Sequence, residues 1–228
     1  MRGTGRHRPP PVLRASLVPR IAWMLVGFAL ISAGIVVMLR SEVGLASWDV
    51  LHQGVAERTG LRFGTANVVV GVLAAAVVVG LGGRREIGLA TLANMLLIGV
   101  FIDLILLADP LADLDQRAFA VRLLAGVAGT AIAGVGFALY IAAGFGTGPR
   151  DALMMLIARR AHTRIWVART ALELTVLAIG LGLGGTAGLG TVVFALGIGP
   201  VIEVALVALE RTGLARPGAV TPVPAVTV

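Results

Sequence analysis

Long apolar stretches alternate along the chain with short polar breaks, most of them carrying arginine. A helix rises about 1.5 Å per residue and the hydrocarbon core is about 30 Å thick, so a crossing needs about 20 apolar residues. Six blocks reach that length: residues 21–39, 64–83, 87–107, 123–144, 165–184 and 188–209. The first and fourth hold no charge, and 64–83 holds only Asn67 as a strongly polar residue. The third holds Asn94 and Asp103, the fifth Arg169 and Glu173, and the sixth Glu203. Membrane strands would instead show alternating segments of about ten residues, and none occurs. The pattern predicts an all-α membrane protein with six transmembrane helices, the first of them retained instead of cleaved as a signal.

Composition agrees. The chain is 57% hydrophobic and 14% charged, with a mean hydropathy of +0.95. A soluble domain is roughly a quarter charged, so a water-soluble globule is excluded. The basic side chains are all arginine, set between apolar blocks and forming no stripe with interleaved aromatics. They read as membrane flanks and imply no nucleic-acid partner. Without cysteine there is neither a disulfide nor a thiolate metal site. With the N-terminus in the cytoplasm, 14 arginines fall in inner segments and 5 in outer ones. Arginine is favoured on the cytoplasmic side, so both termini are expected there. Trp23, Trp48, Trp166 and Tyr140 lie near block ends and are expected in the headgroup belt. Residues 1–20 and 211–228, rich in arginine or proline, are expected to be disordered tails.

Sliding the chain over itself by 102 residues aligns Arg20 with Arg122, Asp49 with Asp151, Arg58 with Arg160 and Arg62 with Arg164. At an offset of 100, the stretch from Gly88 meets that from Gly188, and Asp103 meets Glu203. Glycine matches are cheap here, but charged residues are scarce, so their register argues for duplication. The expected layout is repeat 1 over 21–108, an external linker over 109–122 and repeat 2 over 123–210. Three spans per copy put the two repeats into the membrane from opposite sides, a 3+3 inverted repeat of the kind found in secondary transporters.

Four separated motifs carry a family resemblance. They are EVGLASWDVLHQG (42–54) followed by Phe63-Gly64-Thr65, GFGTGPRD (144–151) followed by Arg169 to Glu173, ANMLLIGVFID (93–103) and GLGTVVFALGIGP (188–200). Over residues 20–210 the chain resembles the YczE/YyaS/YitT group of bacterial integral membrane proteins. Ser47 departs from the pattern, since a proline is expected before the Trp-Asp pair, as Pro149 precedes Arg150-Asp151. The resemblance implies a multi-pass protein of the bacterial plasma (inner) membrane and says little about cargo.

After the first helix of each repeat, residues 47–58 and 149–160 can each form a helix of about 18 Å, half a bilayer. Ser47 is the expected N-cap, with Asp49 and Asp151 in the first turns and Pro149 at a tolerated position. Two readings stay open. These are re-entrant half-helices whose positive N-termini face an anion or substrate path, or interfacial helices lying flat with the aspartates as caps. Arg169 and Glu173, four apart, either pair with each other or line a path. Asp49, Asn67 and Asp103 are expected near the outer side, and Asp151, Arg169 and Glu203 near the inner side, as two gates with protonatable carboxylates. The other reading has Asp103 and Glu203 snorkelling to headgroups. Thr91 and Thr191 are expected to bond back to their own helices, and the dense glycines to serve close packing.

No zinc-protease, phosphate-loop or nucleophile-elbow motif is present, so no catalytic residue, cofactor or metal is assigned and no enzyme is expected. The first expectation is a small-molecule permease with its pathway at the repeat interface. Its candidate pathway residues are Asp49, His52, Asn67, Asn94, Asp103, Asp151, Arg169, Glu173 and Glu203. Its partners are the lipid bilayer and a substrate the sequence does not identify, with self-association left open. The alternative is an accessory membrane protein supporting a partner complex or an envelope process.

Overall fold

In hydrocarbon, backbone polar groups find no water, and a helix satisfies them within one segment. The structure, a computed structural model that describes residues 10–83, 87–145 and 148–216, is built that way. Among those residues lie eight helices: α1 (Leu17–Ser41), α2 (Ser47–Thr59), α3 (Phe63–Gly80), α4 (Leu89–Ala108), α5 (Phe119–Ala143), α6 (Pro149–Arg160), α7 (Ile165–Gly182) and α8 (Leu189–Arg211). All but the short α2 and α6 are long and apolar enough to cross a membrane. Leu73, Leu104, Leu124, Leu174 and Leu196 lie exposed on these long helices, which suits a surface covered by lipid. Arg84, Arg85, Gly146 and the tail residues 1–9 and 217–228 lie outside the described residues.

Corresponding elements begin at matching intervals. Leu17, Ser47 and Phe63 open α1, α2 and α3, and Phe119, Pro149 and Ile165 open α5, α6 and α7, each 102 residues later. α1 and α5 pack along their length in opposite directions, Gly27 against Gly136 and Gly34 against Gly129. A Cβ on Gly34 would stand 2.5 Å from the Gly129 carbonyl oxygen, and one on Gly136 would stand 2.6 Å from that of Gly27. Only glycine permits this approach, and the pairs lie two turns apart, on one face of each helix.

The aligned arginines have a structural task. Arg20 donates to the Ala143 carbonyl at the end of α5 (2.9 and 2.6 Å), and Arg122 to the Ser41 carbonyl at the end of α1 (2.7 Å). Arg58 likewise donates to the Leu183 carbonyl after α7 (3.2 Å), and Arg160 to the Leu81 carbonyl after α3 (2.6 Å). The last carbonyls of a helix have no partner within it and favour a cation, so each half clamps helix ends of the other.

Three local expectations change. Ser47 is the first helical residue; Ala46 occupies the cap position and no side chain caps α2. Thr91 and Thr191 accept hydrogen bonds from the N–H groups of Gly88 and Gly188 (3.2 and 3.1 Å), a capping role at the starts of α4 and α8 beyond the back-bonding expected of them. Of the segments expected as disordered tails, Val12–Leu13 (β1) pairs antiparallel with Ala215–Arg216 (β2), and Leu13 and Ala215 are buried. The ladder and the burial of Leu13 offset the ordering cost, and they hold the segment before α1 and the segment after α8 side by side.

The core lies around the α1–α5 crossing, where Phe28, Ile31, Val36, Met38 and Ile102 are fully buried. A second cluster joins Trp48, Val70, Val78, Leu153, Leu156 and Val176 between α2, α3, α6 and α7. At the turn into α2, Gly44 has φ +117° and lies against Gly188, while the Val43 carbonyl accepts from Gly190 N–H (2.7 Å). Both the backbone conformation and the contact require glycine there.

Candidate functional site

Ala46 and Gly148, the residues just before α2 and α6, border the same cavity of about 110 Å³. A single water needs about 10–15 Å³ measured in this way, so there is room for several waters or a small solute. Ile31 and Ile35 of α1 and Ala133 and Phe137 of α5 form its wall at the middle turns of the two longest helices. From that level α2 and α6 run outward until Arg58 and Arg160 meet the ends of α7 and α3. At about 1.5 Å per residue each is roughly 18–20 Å long, the distance from mid-span to a helix end.

On the α2 side, Asp49 and His52 are both buried at 6% exposure, with Asp49 Oδ1 3.2 Å from His52 Nδ1. The Asn67 amide nitrogen lies 3.3 Å from the same ring nitrogen. A single proton decides between these contacts: carried on Nδ1, it is donated to Asp49, and without it Nδ1 accepts from Asn67. The ring also stands edge-on to Phe63, with centroids 6.2 Å apart.

On the α6 side, Arg150 forms an ion pair with Glu173 of α7 and places its guanidinium 5.9 Å from the centre of the Trp48 ring. Trp48 and Arg150 are equivalent positions in the two half-helices, and here they meet across the cavity. The Trp48 indole N–H is buried without a hydrogen-bond partner. Asp151 lines the cavity and, among the described residues, makes no hydrogen bond and no ion pair within 4.0 Å. Asn94, Tyr140 and Phe194 complete the polar and aromatic lining.

Of the expected pathway residues, Asp49, His52, Asn67, Asn94 and Asp151 converge here, whereas Asp103, Arg169, Glu173 and Glu203 do not line the cavity. Asp103 caps α3, accepting from Gly64 N–H (2.8 Å) and the Thr65 hydroxyl (3.0 Å). Arg169 and Glu203 are exposed. Glu173 pairs with Arg150 and not with Arg169, because Arg150 on the adjoining α6 is partly buried beside it whereas Arg169 faces outward. The two expected gates therefore reduce to one cavity holding both Asp49 and Asp151. The headgroup belt fits Trp166, at 63% exposure, but not Trp48 or Tyr140, at 7% and 3%. Trp48, Arg150 and Tyr140 were thus missed as site residues, although the register of 102 that pairs Trp48 with Arg150 was a usable signal.

A family model described as "Family of unknown function (DUF6198)" matches residues 18–206. An "Uncharacterized protein" of Haemophilus influenzae is 31% identical over 215 residues, covering 87% of this chain and 95% of the relative. The "Uncharacterized membrane protein YczE" of Bacillus subtilis is 31% identical over 198 residues, covering 85% and 88%. The "Uncharacterized protein YyaS" of the same organism is 25% identical over 191 residues, covering 84% and 94%. No solved structure matches.

Proposed function

The chain belongs to the DUF6198 family and is a membrane protein related to YczE and YyaS; from that premise we propose that it is a permease moving a small solute through the cavity between α2 and α6. The observation that carries this reading is the convergence of Asp49, His52, Asn67, Asn94 and Asp151 on one mid-span cavity. Polar and charged groups at that depth are costly, and a bundle with a purely structural role has no use for a void with room for several waters lined by them.

The antiparallel α1–α5 contact and the exchanged arginine clamps support reading the halves as inverted copies about an axis through that contact. In this reading α2 and α6 are re-entrant half-helices entering from opposite faces, with broken backbone buried by protein as hydrocarbon requires. The arginine bias supports a reading with both termini in the cytoplasm of a bacterium and the cavity within its plasma membrane. Phe63, packed edge-on with His52, also lines a neighbouring polar pocket with Arg40, Glu42, Gln53 and Glu57.

The test is uptake into reconstituted vesicles of four radiolabelled probes: choline, glycine, glycerol and phosphate. Saturable, protein-dependent uptake of at least one, lost on Asp49→Asn or Asp151→Asn, is expected. No uptake of any probe by folded protein would overturn the permease reading and favour an accessory role.

A further inference from the structure

Resting on the permease reading, we propose that the solute is a small organic cation, an ammonium with an apolar body, held by Asp151 among the rings of Trp48, Tyr140, Phe137 and Phe194. The starts of two helices meeting at a cavity would ordinarily suggest an anion. Here the chain supplies its own: Asp49 and Asp151 sit in the first turns of α2 and α6, where a carboxylate offsets the dipole. Among the described residues, the guanidinium that lines the cavity, that of Arg150, is paired with Glu173. Among the described lining residues, an incoming anion would meet two carboxylates and no unpaired cation.

A cation meets the opposite situation. Asp49 has His52 within 3.2 Å, whereas Asp151 has no hydrogen bond and no ion pair within 4.0 Å among the described residues, and the charges of Arg150 and Arg169 act on it only from farther off. A carboxylate in an apolar cavity gains most from a counter-charge, because little water is present to screen it. Apart from the neutral polar groups of Asn67 and Asn94 and the His52 ring, the rest of the wall is aromatic and aliphatic, and ring faces attract cations within about 6 Å. The protein already shows one such contact, the Arg150 guanidinium over Trp48. An apolar wall with a few polar groups that fix orientation is the usual form of a small-molecule site.

The experiment compares three ligands of one shape by titration calorimetry on the protein in nanodiscs, with empty discs subtracted: choline, its uncharged tert-butyl isostere and the matching tert-butyl carboxylate. Choline is expected to bind saturably, with the other two weaker by about tenfold or more, and Asp151→Asn to weaken choline by about tenfold. Equal or tighter binding of the carboxylate or the neutral isostere overturns the proposal, as does undiminished choline binding by Asp151→Asn. The three-ligand comparison on the unaltered protein decides even where the variant does not fold. Choline binding with no vesicle uptake would refute the permease and leave the cation site standing. Uptake of phosphate or glycerol in preference to choline would refute the cation and leave the permease standing.

Discussion

Gly34→Ala tests whether the α1–α5 contact is as close as it must be for the two halves to share an axis. The added methyl would lie 2.5 Å from the Gly129 carbonyl oxygen, 2.7 Å from Ala133 N and 2.8 Å from Ala133 Cβ. Ordinary contact begins at 3.4 Å, so the helices must part locally by nearly 1 Å. Two of the three obstructing atoms belong to the backbone and cannot swing aside. Overpacking of this kind costs about 1–3 kcal/mol, and a chain of this size loses about 2–4 °C of melting temperature per kcal/mol. The assay is thermal unfolding of the purified protein in detergent, followed by circular dichroism. Gly80→Ala is the control, since nothing lies within 4 Å of its Cβ position, and it should melt within about 1 °C of the parent. Gly34→Ala combined with Gly129→Ala should cost less than the sum of the two, because both changes force apart the same contact. A Gly34→Ala protein as stable as the Gly80→Ala control would refute the close antiparallel packing.

Two further outcomes follow from the same geometry. Arg122→Ala removes hydrogen bonds to the Ser41 and Glu42 carbonyls (2.7 and 3.1 Å); it should destabilise by about 1–2 kcal/mol, and Arg122→Lys should recover only part because lysine has no fork. A destabilisation fully restored by lysine would show that charge alone is what counts there. The natural chain has no cysteine, so Ala112→Cys and Thr186→Cys provide unique labels in two connections. Inverted halves require both to react with an impermeant maleimide added outside intact cells, and labels on opposite faces would contradict them.

Much of the fold was legible because a bilayer leaves the backbone few choices. The apolar blocks at 21–39 and 123–144 foretell α1 and α5, and proline and acid at 149–151 foretell the start of α6. The register of the arginines was legible too, although their task as clamps on helix ends was not: a membrane flank and a carbonyl clamp both place arginine at the edge of an apolar block. Asp49, His52, Asn67, Asn94 and Asp151 were identifiable as polar residues within or beside apolar stretches. Trp48 and Tyr140 were misread as belt residues because position near a block end says nothing of which way a ring turns.

The amino-acid order alone determined the six apolar helices, the two short ones and the interval of 102 residues between their equivalents. These depend on local length, polarity and periodicity. It could not choose among charged partners, since Glu173 has Arg169 one turn away in sequence yet pairs with Arg150 on a neighbouring helix. Nor could it show that Asp103 would be drawn off to cap α3 while Asp49 and Asp151 came to share a cavity. Those outcomes depend on which helix faces meet, and the glycine contacts between α1 and α5 bring those faces together.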